Sequence, residues 1–371
     1  MANKQYESQK VTLKYSKNAI DKAARLIRHK CTDDERVDAI DKIQNFREIH
    51  AYPLMLMKNH LVRTSNKVST DIVVARRLKR LPTIINKLER PTLDGQSSNS
   101  IKITRMQDIG GCRAIVKNIK ELKELQARLE KSRSVHKIVN ISDYLNPKPS
   151  GYGGVHLIYS CFNNSEDGHN WKKTKIEVQL RTKLQHAWAT CLEIIDTLEC
   201  IELKTSMHGH PLWREFFSIA GQLVAHQQKA HILDNQDLKD KQTRLRELEN
   251  ELDVIAKLHN FTIAMNAASK KLTKYKSLKN IGMCLVHITI DDLNKAKIHE
   301  SGNYLVPVNV KIYEEKDTSS ALADLNELEK SGDTRLCVLL AAKNVNTLKK
   351  AYPNYFGSTT DFRQFINKQI K

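Results

Sequence analysis

The sequence predicts an α+β protein: a β-sheet core flanked by helices, then a helical connector and a small C-terminal α+β domain. Three observations support this fold class. Apolar residues recur at helical spacing over about residues 5–65. Short β-like runs surrounding one helix follow between about residues 101 and 181. Strand-like and helical segments return from about residue 276 onward. A chain of 371 residues is long enough for two or three domains.

The first part of the chain begins with helices and continues with short strands. Ile40, Ile43, Phe46 and Ile49 follow the helical period. The breaker-rich residues 91–100 predict a loop. We expect strands at 112–116, 135–141, 155–162 and 175–180, and a helix at 119–132. The pattern alone is compatible with an α/β or an α+β core.

The second part of the chain is predicted to start with helices. A helix is expected at about 183–199, and Pro211 opens a helical tract that runs to about residue 275. Leu245, Leu248, Leu252 and Ile255 follow a 3-4-3 spacing, typical of a short coiled coil or helical hairpin. We interpret residues 206–275 as a connector between a domain of residues 1–205 and a regulatory domain of residues 276–371. For the last domain we expect strands at 283–290, 305–313 and 335–341, a helix at 319–331, and two short helices.

The chain is strongly basic. It has 61 Lys and Arg against 42 Asp and Glu, a formal net charge of +19. Residues 276–371 contain 14 basic and 11 acidic residues, so +16 lies on residues 1–275. The excess favours a polyanionic partner such as RNA, DNA, nucleotides or an anionic membrane, although a well-solvated basic surface is the simpler explanation.

Composition also excludes several classes of protein. No apolar run approaches the roughly 18 residues of a membrane span, and the polar N-terminus lacks the apolar core of a signal peptide. Seven cysteines with no C-x-x-C pair argue against structural zinc and a disulfide framework. We therefore expect a cytoplasmic protein with reduced thiols.

A group of cations and a hydroxyl is predicted to converge near the start of one helix. Arg77 and Lys79 share a face if residues 75–80 are extended. Pro82 suits the first position of a helix, which places Thr83 and Lys87 on one helical face. Such a group suits a polyphosphate, and a solvated basic helix is the alternative.

Two acidic residues could hold a metal ion or serve in catalysis. Asp108 precedes a strand beside two glycines and is followed by Arg113, so it could bind Mg²⁺ or could form a surface ion pair with that arginine. Glu177, Gln179 and Arg181 alternate with apolar residues and share one face of a strand. That face is either exposed to solvent or the floor of an active site.

A glycine-rich segment connects two of the predicted strands. Gly151 allows a close backbone approach, and Tyr152 lies on an open loop where its ring could stack on a base. Lys148 precedes them and His156 starts the next strand. A plain hairpin with an exposed tyrosine is the alternative. Together, the cations, carboxylates and aromatic residue supply what pyrophosphoryl transfer requires.

These four ordered motifs resemble those of the synthetase domain of the RelA/SpoT alarmone-synthetase superfamily. Threonine replaces the family's serine in R-x-K-x-x-x-S-x-x-x-K, and the similarity covers roughly residues 70–195. It implies a mixed-sheet, nucleotidyltransferase-like core that uses ATP and Mg²⁺ and moves pyrophosphate to a ribose 3′-hydroxyl. By this resemblance, ATP would contact Arg77, Lys79, Thr83, Lys87 and Arg113. Catalysis would fall to Asp108, Glu177 and Tyr152; of these, Asp108 and Glu177 would bind Mg²⁺, and Glu177 would also activate the hydroxyl. The acceptor would contact Lys148, Gly151, Tyr152, His156, Gln179 and Arg181.

The layout is similar to that of the fused, capsid-sensing CapRel-type toxin–antitoxins. Gly153 stands where alarmone makers usually carry a bulky or basic residue, and the chain has no His-Asp dipeptide of the alarmone hydrolase domain. The resemblance implies pyrophosphorylation of the tRNA 3′-CCA end, which blocks translation, and a C-terminal domain like a zinc finger without zinc ligands. It also implies a phage capsid protein as trigger. Tyr352 and Tyr355 match the family's neutralising Y-x-x-Y motif at the ATP adenine site, although both tyrosines could simply pack.

The leading hypothesis is therefore an autoinhibited toxin that modifies tRNA, with no membrane or DNA partner. The alternatives are a synthetase of (p)ppGpp or ppApp acting on guanosine or adenosine nucleotides, and a catalytically dead RNA-binding module. The intact pair of Asp108 and Glu177 argues against the last. Candidate RNA contacts are Lys14, Lys17, Lys22, Arg25, Arg28, Arg76, Arg80 and Arg90.

Overall fold

The computed structural model describes most of the chain. The described residues are 7, 9–29, 31–89, 102–162, 170–199, 210–259, 281–289, 291, 297–298, 304–305, 309–314, 317–331, 333–340 and 359–371. The predicted loop at 91–100, Arg90, and the pair Tyr352 and Tyr355 lie outside them. No helix in the described ranges is long and apolar enough to cross a lipid bilayer.

Within residues 9–29 and 31–89, the N-terminal part begins with three helices: α1 (Lys17–Arg28), α2 (Asp33–Glu48) and α3 (Ala51–Ser65). The side chain of Ser16 accepts a hydrogen bond from a backbone N–H of α1. Thr32 forms a capping box with Glu35 and so starts α2. The helical prediction for residues 5–65 is confirmed from residue 17, and the caps divide it into separate helices.

Five strands form a mixed sheet, which confirms the predicted α+β fold class. The strands are β1 (Val73–Leu78), β2 (Gly110–Val116), β3 (Lys137–Asp143), β4 (Val155–Ser160) and β5 (Lys175–Thr182). Their spatial order is β1-β2-β5-β4-β3, with β2 and β5 parallel and the other pairs antiparallel. Three more helices accompany them: α4 (Leu81–Glu89), α5 (Ile119–Glu130) and α6 (Lys183–Leu198).

One face of this sheet is the main hydrophobic core. Alternate residues of β5, Ile176, Val178 and Leu180, are fully buried, as strand geometry requires for a face covered by helices. Helix α3 lies against this face, since a Cβ added at Gly110 would meet side chains of both β5 and α3. The opposite face of the sheet is therefore the one left for polar side chains.

A second core lies beside the sheet. It contains α6 together with α7 (Pro211–Gln227) and α8 (Asn235–Leu252). The predicted continuous tract from Pro211 is interrupted between these two helices, which pack against each other as the predicted hairpin. Leu245, Leu248 and Leu252 are buried in this core as the 3-4-3 spacing indicates.

The C-terminal part contains a small three-stranded sheet of order β10-β6-β9. Its elements are β6 (Ile281–Thr289), β7 (Lys297–Ile298), β8 (Tyr304–Leu305), β9 (Asn309–Glu314), α9 (Thr318–Lys330), β10 (Thr334–Leu340) and α10 (Thr360–Gln369). The strands predicted at 283–290 and 335–341 and the central helix are present with small shifts in their ends. The single strand predicted at 305–313 is wrong: β8 and β9 are separate strands, and β8 pairs with β7 outside the three-stranded sheet. One of the two predicted short helices corresponds to α10.

Helix α10 completes the second core. Phe362, Phe365 and Ile366 are buried in the cluster that α6, α7 and α8 form. The rings of Phe217 and Phe362 stack with centroids 6.0 Å apart. The predicted domain boundaries at residues 205 and 275 stay predictions, but the last helix of the chain shares its core with residues on both sides of them.

The described cysteines have free thiols. Burial raises the pKa of Cys112 and Cys161 to about 12, so these side chains behave as small apolar residues rather than reactive thiolates. Cys112 packs on the core face of β2, where its sulfur donates to the carbonyl of Leu54.

A buried carboxylate near the end of α8 couples the stability of the second core to pH. Glu249 is 8% exposed, its Oε1 accepts from the backbone N–H of Ile255 at 2.9 Å, and its Oε2 has no hydrogen-bond partner among the described residues. Burial raises the pKa of Glu249 to about 7. The folded state thus holds this proton where the unfolded chain has released it, and stability falls as pH rises from about 4.5 to 7.

We predict that Glu249→Gln removes this fall of stability with rising pH. The free energy of unfolding of the variant, relative to the wild type, should rise by up to about 3 kcal/mol between pH 4.5 and 7.5. Urea unfolding at a series of pH values measures it. Glu251→Gln, an exposed position on the same helix, is the matched control. A constant difference across the pH range would show that Glu249 does not carry the linkage.

Candidate active site

The polar face of the mixed sheet brings the predicted residues together. Strand register places Arg77 opposite Gly111, and Gly111 opposite Glu177. The next row contains Arg113, Gln179 and His156 as successive neighbours on β2, β5 and β4. Because residues in register share a face, the cations of β1 and β2 and the polar residues of β5 and β4 point to the same side.

A cation–carboxylate cluster occupies one end of this face. The Nζ of Lys79 lies 2.8 Å from Oδ2 of Asp108, and the Nζ of Lys87 lies 3.1 Å from its Oδ1. Lys79 is held in place because its backbone N–H donates to the carbonyl of Ile109 at 2.7 Å, which continues the pairing of β1 with β2. Lys87 comes from α4, in the last turn of the helix.

Burial and charge compete at this cluster. Burial acts to raise the pKa of Asp108, but the charges of Lys79 and Lys87 outweigh it and hold that pKa below its usual value. Burial also lowers the pKa of Lys79, against the attraction of Asp108. One carboxylate between two ammonium groups leaves net positive charge, which favours a polyanionic ligand.

A cavity of about 110 Å³ opens beside the cluster. Its polar lining residues are Arg77, Lys79, Asp108, Arg113, Glu177 and Gln179. The sequence therefore identified the charged lining of this cavity. Thr83 lies one turn before Lys87 on α4, outside the residues that line the cavity.

Glu177 is the best-anchored side chain of the site. Its Oε1 lies 2.8 Å from Nδ1 of His156, and its Oε2 accepts a hydrogen bond from Nε2 of Gln179 at 2.7 Å. Burial and the nearby Asp108 act to raise the pKa of Glu177, but the contacts with His156 and Gln179 outweigh them and lower it. The carboxylate is thus held ionised at the cavity wall.

The glycine loop, residues 148–154, borders the other end of the face. The hydroxyl of Tyr152 is hydrogen-bonded to Nε2 of His156 and accepts from Nη2 of Arg181 at 2.8 Å. Gly151 has a φ of +84°, a conformation that favours glycine. Tyr152 is half-buried, so its hydroxyl is anchored in the protein.

Tyr144 is a site residue that sequence reasoning missed. Its ring meets the rings of Tyr152 and His156 edge to face, at 5.9 and 5.4 Å. The Nζ of Lys148 lies 4.0 Å from the centroid of the Tyr144 ring, a cation–π contact. The pairing of Tyr144 with Gly154 through backbone hydrogen bonds extends the β3–β4 hairpin, and a hairpin register could have revealed this tyrosine.

Helix α7 supports the glycine loop from behind. A Cβ added at Gly221 would lie 1.9 Å from the carbonyl oxygen of Gly151, so glycine is required where α7 and the loop touch. The hydroxyl of Ser218 donates to the carbonyl of Pro149 at 2.7 Å. The indole of Trp188 donates to the carbonyl of Phe217 at 2.9 Å. Trp188 therefore packs in the second core.

The candidate RNA contacts do not form one cluster. Lys14 and the α1 residues Lys17, Lys22 and Arg25 are exposed. Arg28 instead donates from Nε to the carbonyl of Leu88 at 2.7 Å. Two others, Arg76 and Arg80, line a small cavity next to the C-terminal part of the chain. The exposed cations of α1 thus differ from Arg28, Arg76 and Arg80, which contact other parts of the protein.

The C-terminal part touches the segment that carries the cations. Arg47 on α2 and Glu329 on α9 form a fully buried ion pair at 3.3 Å. Arg47 also donates from Nε to the carbonyl of Lys79 at 2.8 Å, and Glu329 accepts from the backbone N–H of Leu81 at 3.3 Å. The turn between β1 and α4 is therefore held from two sides, one of them the C-terminal part.

The residues present fit a magnesium ion bound together with a polyphosphate. Asp108 and Glu177 line one cavity and supply hard oxygen donors, and Mg²⁺ in proteins usually binds one or two carboxylates plus substrate phosphates. A site made wholly of protein ligands is a different matter: within the described ranges, no group of three or more acidic, histidine or cysteine side chains could hold a metal.

We predict that Asp108→Asn destabilises the protein because it leaves Lys79 and Lys87 without their shared anion. The free energy of unfolding should fall by about 1–3 kcal/mol at low salt. Inorganic tripolyphosphate, without divalent cations, should then raise the Tm of the variant more than that of the wild type. Asp71→Asn, at an exposed position before β1, is the control. A larger Tm rise for the wild type would contradict this account of the cluster.

A comparison with protein families matches the part of the chain that carries this site. The family model described as "Region found in RelA / SpoT proteins" matches residues 76–194. The GTP pyrophosphokinase YwaC of Bacillus subtilis is 30% identical over 115 residues, which are 31% of this chain. The chain spans about half, 52%, of the length of that relative.

Solved structures of similar proteins have modest TM-scores. The small alarmone synthetase 1 from Bacillus subtilis gives a TM-score of 0.40 at 22% identity, over 50% of this chain and 92% of that one. A GTP pyrophosphokinase family protein from Streptococcus pneumoniae gives 0.34 at 22% identity, over 47% and 83%. The family match runs from Arg76 to Ile194 and contains all four motifs. Residues 76–194 of this chain are therefore similar to the region found in RelA and SpoT proteins.

Proposed function

We propose that this protein is an ATP-dependent pyrophosphokinase that transfers pyrophosphate to the 3′-hydroxyl of the tRNA CCA end. In this proposal it acts in the cytoplasm as an autoinhibited toxin of anti-phage defence that blocks translation. The observation that carries the enzymatic part is the shared cavity in which Lys79 and Asp108 face Glu177. Cations for a triphosphate and a carboxylate for a hydroxyl lie together there.

The chain's own residues suit each part of that reaction. Arg77, Lys79 and Lys87 would bind the triphosphate of ATP and orient its β-phosphorus toward the acceptor. The acceptor 3′-oxygen forms a bond to the β-phosphorus, the bond from that phosphorus to the α,β-bridging oxygen breaks, and AMP leaves. Glu177 accepts the hydroxyl proton. Magnesium held by Asp108 and Glu177 would neutralise charge on the phosphates.

The acceptor would lie along the other end of the polar face. Tyr152 would stack on its base, with Lys148, Gly151, His156, Gln179 and Arg181 around it. Support for a tRNA acceptor comes from the +16 charge of residues 1–275 and the exposed cations of α1. Gly153 also supports it, because it stands where alarmone makers usually carry a bulky or basic residue.

A second candidate function is synthesis of (p)ppGpp or ppApp from guanosine or adenosine nucleotides. The same residues would serve, with a smaller acceptor. The similarity to a protein named GTP pyrophosphokinase favours this alternative.

One labelling experiment separates these functions. The full-length protein is incubated with Mg²⁺ and ATP labelled at the γ-phosphate, and tRNA, GDP, GTP and AMP are offered in parallel. We expect label on tRNA but not on tRNA whose 3′-terminal ribose has been oxidised. Glu177→Gln should reduce transfer by at least about 1,000-fold, because the group that accepts the proton is lost and its charge with it.

Glu124→Gln, at an exposed position on α5, should label as the wild type does. Label on a nucleotide alone would replace the tRNA proposal with the alarmone alternative. Equal transfer by Glu177→Gln and the wild type would remove Glu177 from the mechanism.

The regulatory part of the proposal concerns the C-terminal domain. Its support is the contact of Glu329 with Arg47 and Leu81, beside the cations of the site. In this proposal Tyr352 and Tyr355 cover the ATP site until a phage capsid protein engages the domain. Truncation near residue 275 is a poor test, because it would remove Phe362 and Phe365 from the second core.

A point substitution tests the regulation better. Tyr355→Ala should raise basal transfer to tRNA about ten-fold or more without any trigger, since an inhibitory contact worth 1.4 kcal/mol changes an equilibrium ten-fold. The readout is label on tRNA per unit time. Tyr304→Ala, in β8 of the same domain, is the control. An unchanged basal rate in Tyr355→Ala would exclude autoinhibition through this residue.

A further inference from the structure

His156 contacts two residues of the site at once. Its Nδ1 lies 2.8 Å from Oε1 of Glu177, and its Nε2 is hydrogen-bonded to the hydroxyl of Tyr152. The imidazole is mostly buried, with 16% of the side chain exposed. Both ring nitrogens are thus engaged by protein groups, which leaves neither of them for a phosphate or ribose of the acceptor.

Arg181, Tyr152, His156 and Glu177 are connected in this order by hydrogen bonds. The donor and acceptor of each bond can be assigned by starting from Arg181. Arg181 can only donate, and its Nε and Nη2 lie 3.2 and 2.8 Å from the oxygen of Tyr152, so both lone pairs of that oxygen are occupied. The hydroxyl hydrogen of Tyr152 then points to Nε2 of His156, which accepts it. In a neutral imidazole the other nitrogen, Nδ1, therefore carries the hydrogen and donates to Glu177.

Gln179 closes this arrangement from the opposite side. Its Nε2 donates to Oε2 of Glu177 at 2.7 Å, and its backbone is paired with that of His156 across β4 and β5. Each carboxylate oxygen of Glu177 thus receives one hydrogen bond and keeps further lone pairs. The side chain of Glu177 has three rotatable bonds, and two donors on neighbouring strands fix its end.

We propose that His156 is a positioning residue: its Nδ1–H holds Glu177 toward the cavity while its Nε2 ties that carboxylate to Tyr152. The role rests on the proposed pyrophosphoryl transfer. It differs from direct contact with the acceptor. The imidazole of His156 holds two groups at a fixed separation. One is the ring of Tyr152, which receives the acceptor base, and the other is the carboxylate of Glu177, which receives the proton of the acceptor hydroxyl. A base seated on Tyr152 thereby finds Glu177 already in place.

Two isosteric substitutions separate the two ring nitrogens. His156→Asn puts an amide N–H where Nδ1 lies, so it can still donate to Glu177 but cannot reach Tyr152. His156→Gln extends to the position of Nε2, so it can reach Tyr152 but leaves Glu177 without this donor.

We expect kcat to fall about 100-fold in His156→Gln, the loss typical of a displacement near 1 Å. In His156→Asn kcat should stay at least ten-fold above that of His156→Gln, with a higher KM for the acceptor. Equal kcat values, or a loss confined to acceptor KM in both variants, would overturn the proposal in favour of direct acceptor contact.

A measurement without turnover tests the hydrogen bonds themselves. In the full-length wild type labelled with ¹⁵N-histidine, NMR at pH 8.5 should show the His156 Nδ1 protonated and Nε2 bare, the tautomer less common for free imidazole. Glu177→Ala combined with Tyr152→Phe should release that preference, because either partner alone would keep the hydrogen on Nδ1. A protonated Nε2 in the wild type would refute the proposal whether or not the enzyme variants fold well. Failure of the proposed function would instead appear as no transfer by the wild type to any acceptor, and the tautomer would still decide whether His156 holds Glu177.

Discussion

The parallel pairing of β2 with β5 is the constraint on which the rest of the site depends. It sets Gly111 against Glu177 and Arg113 against Gln179, so cations and carboxylate face one cavity. The pairing requires a close approach at the start of β2, where a Cβ on Gly110 would lie 2.6 Å from the side chain of Ile176. A parallel pair at the centre of a sheet needs cover on its apolar face, and α3 supplies it. The register of β2 with β5 thus determines both the packing of the core and the geometry of the site.

The two ends of the polar face are organised by different forces. Electrostatics dominates at the end with Asp108, where opposite charges hold one another in place and an incoming polyanion would replace the carboxylate as the partner of the lysines. Hydrogen bonds and ring contacts dominate at the other end, around Tyr152 and Tyr144, where Arg181 and Lys148 supply the charged donors. Glu177 lies between the two regions and belongs to both. Burial acts to raise the pKa of Glu177, and the hydrogen bonds donated to its carboxylate act to lower that pKa.

Local periodicity predicted most of this architecture, and tertiary contacts account for what it did not. The alternation at residues 175–181 was sufficient to separate the buried face of β5 from its polar face, because strand geometry fixes both. The motif residues Lys79, Asp108 and Glu177 were identified by type and spacing. By contrast, the hydrogen bonds of His156 to Tyr152 and Glu177 depend on how β4 pairs with β5. The residue pattern of one strand does not reveal that pairing. The contact between Gly151 and Gly221 joins residues seventy positions apart, and the sequence offers only two glycines to suggest it. Arg47 and Glu329 likewise look like ordinary surface charges until the fold brings them together.

The position of α10 in the second core has a consequence for the order in which the protein matures. Ribosomes release a chain from its N-terminus, so residues 360–369 emerge after α6, α7 and α8, with which they pack. Until they do, the aromatic surface around Phe217 lacks its cover, and α7, which supports the glycine loop, lacks part of its packing. A nascent chain with a complete support for that loop therefore already contains everything up to β10. The packing behind the glycine loop is therefore complete only once α10 has been synthesised, so this support and the C-terminal part are finished by the same late stretch of the chain.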